Sequence, residues 1–143
     1  MVEKTRLQNF ESFRDVQALV TAFEAAEVKP AEFSHLHHLA VAAYYLLNHG
    51  PDRALTLMRD GLFGVLRRNN LDAYNETITV FWLRYAEQRL TSVAGNLSQL
   101  EAINRLIAES PAANLIFDYY SKELLSSDTA RCQYVEPDRC SIL

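Results

Sequence analysis

His35, His38 and Glu76 are the side chains whose types and spacing could do chemistry in this chain. Two histidines at i and i+3 share one side of a helix. A carboxylate brought in from a second helix would complete a His, His, carboxylate set that suits iron, zinc or copper, and open positions on such a metal would activate water or oxygen. In that arrangement Glu76 is the third ligand or the general base, and Tyr74 and Thr79 orient it. A carboxylate acting as a base needs a pKa near the working pH, which partial burial supplies. Simpler readings stand beside this one. Glu76 in a helix's first turn is favoured by the macrodipole, and a histidine pair also serves as cap or core hydrogen-bonder. A third reading needs no metal: histidines at a helix N-terminus can receive a ligand's carboxylate or phosphate.

The elements that must position these groups are helical. The stretch from Tyr74 to Tyr85 is apolar on nearly every side, with Thr79, Val80 and Leu83 on one face and Ile78, Phe81, Trp82 and Tyr85 on the other. Such a helix belongs at the centre of a bundle. It is expected to run on to about Ser92. Before it, Ser12 or Asp15 caps a first helix through Glu27, and Ser34 caps a second over His35 to Asn48 or His49. Gly50-Pro51 ends the second and opens a third, which reaches Arg68. Further helices are expected at Ser98 to Glu109 and Asn114 to Lys122, with a last turn from Ser127 or Asp128. Met1 to Asn9 is read as a frayed start and about 133 to 143 as an irregular tail. The sum is an all-α single domain over residues 1 to 143, a bundle of about five to seven helices with no strand. Short connections favour antiparallel neighbours, so the starts of the second and fourth helices fall at the same end. That is what would carry His35 and His38 toward Glu76.

Composition narrows the function classes. The net charge is −4 over 143 residues, and Lys and Arg are scattered. A nucleic-acid partner would need a basic stripe, so none is expected. The longest apolar span, Leu36 to Leu47, is too short for a bilayer, and the N-terminus is charged where a signal peptide is apolar. A cytoplasmic protein without membrane contact is the expectation, and a homodimer stays open. Cys132 and Cys140 are the only cysteines; a reducing compartment argues against a disulfide between them. Cys140-Ser141-Ile142-Leu143 has the form of a prenylation signal, but no polybasic segment precedes it. Glycine-rich phosphate loops and nucleophile elbows are lacking.

Several short motifs, Phe33-x-His35-x-x-His38-Leu39, Tyr74-x-Glu76-Thr77-Ile78-Thr79, Tyr119-Tyr120-Ser121, Ala130-Arg131 and Val135-x-Pro137-Asp138-Arg139, resemble those of a family of small all-helical bacterial proteins of unsettled function. In that family's pattern a histidine usually precedes the glutamate; here Asn75 stands in its place, able to act as a weak oxygen ligand or hydrogen-bond partner. Tyr45, Asn75, Tyr119 and Tyr120 are candidates to line a substrate pocket, although a tyrosine more commonly buries its ring and finds one partner for its hydroxyl. Two functions therefore stand. One is a small metal-dependent enzyme of a biosynthetic or tailoring pathway. The other is a non-catalytic helical binding protein whose pocket or apolar face takes an anionic small molecule or a partner chain.

Overall fold

The longest run of fully buried positions is Leu39, Ala40, Val41, Ala42 and Ala43, and it decides which helix lies innermost. Small side chains there let neighbours approach from several sides. The computed structural model, which describes residues 9–92 and 95–140, is an all-α bundle. Its helices are α1 Phe13–Glu24, α2 His35–His49, α3 Pro51–Arg68, α4 Glu76–Ser92, α5 Gln99–Glu109, α6 Lys122–Leu125 and α7 Asp128–Cys132, with a 3₁₀ turn at Ala113–Asp118 between α5 and α6. No strand occurs among the described residues. None of these helices is long and apolar enough to cross a membrane. α2 packs on α1, α3, α4 and α5, while α4 packs on α2, α3, α5 and α7. Two central helices thus share the role expected of α4 alone.

The helix boundaries follow from local chemistry. Ser12, Ser34 and Ser98 each accept a backbone N–H of the first turn with their hydroxyls. At Ser98 the Glu101 carboxylate returns the bond to the cap N–H; at Ser34 the Nδ1 of His37 does the same. That accounts for His37, which is a capping residue. α1 ends at Glu24, three residues before its expected end, because Ala26 turns into the left-handed region at φ 59°. Glu27 N–H then donates to Ala22 O and Ala26 N–H to Phe23 O, the bond pair of a Schellman closure with alanine in the place glycine usually holds. Helical periodicity alone gives no sign of it. Asn70, at φ 57°, closes α3 the same way.

Two other expectations need correction. The span Asn114 to Lys122 is not one helix: the 3₁₀ turn stops at Asp118, and Ser121 starts a new helix by accepting Leu124 N–H. Ser121 in turn binds Asp138 through its N–H and its hydroxyl. The segment from 133 to 140 has irregular backbone but is fastened down, with Tyr120 Oη donating to Val135 O at 2.6 Å and Arg139 N–H to Tyr119 O at 2.9 Å. Of the expected frayed start, residues 1–8 lie outside the described residues, and Phe10 is held by a reciprocal pair of bonds with the Asn104 side chain. Ser141 to Leu143 of the prenylation-like ending also lie outside them.

Gly61 shows how closely α3 approaches α1. A Cβ placed there would collide with the Phe23 ring, which is wholly buried and stacks on Phe33 at 5.2 Å. Gly61→Ala should gain about 1 kcal/mol of helix propensity and lose more to the displaced ring. The expected net is a destabilisation of about 1 to 2 kcal/mol by urea denaturation; a stabilised variant would show that the rings yield freely.

Candidate functional site

Glu76 opens α4, and Asn75 caps it by accepting Ile78 N–H at 3.0 Å. The same Asn75 side chain donates to Leu125 O at 2.8 Å, so this position ties α4 to α6. The Glu76 carboxylate faces the middle of α3. Arg59 grips it with Nε on Oε1 at 3.0 Å and Nη2 on Oε2 at 2.6 Å, and Tyr74 Oη donates to Oε1 at 2.6 Å. The glutamate side chain is only 12% exposed and the arginine 35%. Arg59's hydrogen bonds hold the Glu76 pKa below the usual carboxylate range against the opposing effect of burial, and Tyr74 adds to the lowering. Burial and the bond to Glu76 push the Tyr74 phenol up to about 12. At neutral pH the trio is therefore a guanidinium, a carboxylate and a neutral phenol. Thr79, the third expected member, donates back to Asn75 O at 3.0 Å, and its hydroxyl lies beside Tyr74.

The histidine pair lies elsewhere. His35 meets Trp82 edge to face at 4.3 Å, and Trp82 is six residues beyond Glu76, or about 9 Å along the helix. α2 therefore reaches α4 well past the first turn, where α3 holds the carboxylate. Among the described residues no three His, Cys, Asp or Glu side chains are grouped as a metal site requires, so His35, His38 and Glu76 are not brought together. His35 Nε2 is buried with no hydrogen-bond partner among the described residues. Burial lowers the pKa of His35, partly offset by the Pro111 backbone. Burial, with a contribution from His35, lowers His38 to about 4.

That depression has a measurable consequence. An unfolded histidine near pKa 6.5 binds its proton before folded His38 does, so stability should fall as pH drops from 6.5 toward 4. The cost between pH 7 and pH 5 is about 2 kcal/mol. Urea denaturation at the two pH values should show it, and His38→Gln should remove most of the difference; an unchanged slope in that variant would refute the assignment.

A cavity of about 520 Å³ opens beside the Glu76 cluster. Arg59, Phe63, Tyr74 and Glu76 form one part of its lining, and Asp72, Asp128, Arg131 and Cys132 the other. Phe63 stacks on Tyr74 at 4.4 Å and is 41% exposed. Arg131 fastens α7 to the loop before α4, donating through Nη2 to Asp72 O at 2.9 Å and Oδ1 at 3.3 Å, and through Nε to Tyr74 O. Of the side chains expected at a site, Tyr74 and Glu76 line this cavity. Tyr45, Asn75, Tyr119 and Tyr120 do not. Tyr45 is buried and donates to Glu24 at 2.8 Å, Tyr119 lies against Phe81, and Tyr120 holds the C-terminal segment. Arg59, Phe63 and Arg131 escaped the sequence reading. Arg59 and Phe63 are an i, i+4 pair flanking the buried stripe of α3, which was the available signal; Arg131 stands in one of the quoted motifs without a role attached to it.

Fold and site together define an all-α bundle with a charged, aromatic-walled cavity at the start of its fourth helix. Comparison with known protein families, with characterised proteins and with solved structures finds no match.

Proposed function

We propose that this chain is a helical binding protein whose cavity at the start of α4 takes a small molecule with an anionic group. The observation that carries the reading is the cavity lining itself: two guanidiniums beside an exposed aromatic face, in a volume within the range of small-molecule sites. Arg59 and Arg131 each use Nε and Nη2 on the protein, and neither Nη1 has an acceptor among the described residues. Those groups are suited to a carboxylate or phosphate. The Phe63 ring, 41% exposed at the cavity, offers an apolar face that a ligand would remove from water. Glu76 weighs against a general base here, because Arg59 drives its pKa down and away from neutrality.

Ligand-observed NMR with a panel of aromatic carboxylates and phosphates tests the reading, wild type beside Phe63→Ala. Binding should weaken at least about fivefold in the variant, while stability falls by about 1 to 2 kcal/mol, since the ring is 41% exposed and loses its stacking on Tyr74. Binding indifferent to Phe63, or none at all, would refute it.

A second reading, the metal-dependent enzyme, is favoured by one observation, the buried and unpartnered Nε2 of His35 beside His38. Iron, zinc or copper held there would need further ligands from a rearranged interior or from substrate. Plasma mass spectrometry on untagged protein, beside the His35→Ala/His38→Ala variant, decides it: near-stoichiometric metal lost in the variant supports the enzyme, and no metal in either after reconstitution refutes it.

A further inference from the structure

We propose that the ligand of this cavity is a zwitterion of the amino-acid class, carrying an aromatic side group as well as its carboxylate and ammonium. The inference rests on the binding reading above and deepens it by naming what the ligand must present. It follows from which groups of the lining already have partners and which do not. Glu76 is satisfied twice over by Arg59 and once by Tyr74. Asp72 has Arg131 on Oδ1 at 3.3 Å. What remains is one Nη1 on each arginine, able to donate, and the whole carboxylate of Asp128, which has no donor among the described residues. An anion alone would satisfy the guanidiniums and sit beside an unpaired Asp128. The lining as a whole carries two cations and three anions, so a ligand with only negative charge meets repulsion that a zwitterion does not.

The ring system sets the third requirement. Phe63 keeps its exposed surface at the cavity while Tyr74 covers its other side at an interplanar angle of 30°. A ring held in this way is a prepared stacking surface, and a planar aromatic group gains more from it than an aliphatic one of similar size. The cavity, at about 520 Å³, has room for any of the three aromatic amino acids. Asp128 is exposed at the first position of α7, so it can receive an ammonium group from solvent with little rearrangement.

Isothermal titration calorimetry on the full chain tests this with tryptophan, tyrosine and phenylalanine, each beside the analogue that lacks the amine and the analogue that lacks the carboxylate. At least one amino acid should bind tenfold or more tighter than both of its analogues. Asp128→Asn should then bring its affinity down to about that of the amine-free acid, while the acid itself binds the variant at least as tightly as it binds the wild type, because one repelling charge is gone. If the acids bind as tightly as the amino acids, the zwitterion is overturned and the anion site stands. If none of the nine compounds binds, or if binding ignores both Asp128→Asn and Phe63→Ala, the inference and the reading beneath it fail together. Asp128 is solvent-exposed, so its variant should fold like the parent, which circular dichroism checks.

Discussion

Thr77→Val should destabilise the protein by about 2 to 4 kcal/mol and release the C-terminal segment, although the two side chains are nearly the same shape. Thr77 is completely buried on α4. Its hydroxyl lies 2.8 Å from Ala130 O and 3.1 Å from Gln133 O, and it accepts Val135 N–H at 3.2 Å. One hydroxyl thus serves the end of α7 and the irregular segment beyond it. Valine keeps the packing and leaves a carbonyl and an N–H without their partner, each costing about 1 to 3 kcal/mol where water cannot reach. Gln133 is exposed, and its carbonyl can recover water, which limits the total. Because Asp128, Arg131 and Cys132 of the cavity ride on α7, the same change should weaken any ligand bound there. Limited proteolysis should cut near residues 133–140 in the variant much faster than in wild type, and Thr77→Ser should restore resistance. A Thr77→Val protein as stable and as resistant as the parent would show that the hydroxyl bridge contributes little.

The helices and their caps were legible in the sequence because the signals are local. Ser34 and Gly50-Pro51 bracket α2 within the chain itself, and the structure has α2 at His35–His49 and α3 at Pro51–Arg68. The all-α bundle follows from such brackets. What failed to show was whatever depended on rotation about an axis. Glu76 was legible as an inward carboxylate needing a partner, but the partner is Arg59 of α3, not the histidines of α2. A difference of six residues along α4 separates the two outcomes, and helix packing angles, unlike caps, are not written in a short window. The fastened tail was missed for a similar reason. Its anchors, Thr77, Tyr119 and Tyr120, are distant in sequence, and nothing in the composition of residues 133 to 140 distinguishes a bound irregular segment from a free one.

Arg59→Met should cost about 2 to 3 kcal/mol at pH 7 and less at lower pH, a dependence that separates loss of a charge partner from loss of packing. Methionine keeps much of the arginine's aliphatic length but leaves Glu76, 12% exposed, with only the Tyr74 hydroxyl. Removing one partner of a wholly buried pair costs about 3 to 5 kcal/mol; Arg59 is 35% exposed, and solvent screening reduces that figure. The sign of the pH effect follows from the carboxylate. In the wild type its folded pKa is lowered, so the pair stabilises above the unfolded value of 4.5 and that stability is lost as pH falls through the folded pKa. In the variant the arginine's contribution is gone and burial, which raises the pKa, is the stronger influence that remains. Glu76 would then take up a proton above the pH at which it does so in the parent, and the stability gap between the two proteins should narrow as pH drops toward 4. Arg59→Met with Glu76→Leu should recover most of the loss at pH 7, since it removes the stranded charge together with its partner. Urea denaturation of the three variants at several pH values measures both effects. A gap between wild type and Arg59→Met that stays constant with pH would mean that packing, and not charge, is what Arg59 supplies. In the expected case the same arginine that orders the start of α4 also keeps Glu76 ionised, so the cavity's charge pattern and its stability depend on one ion pair.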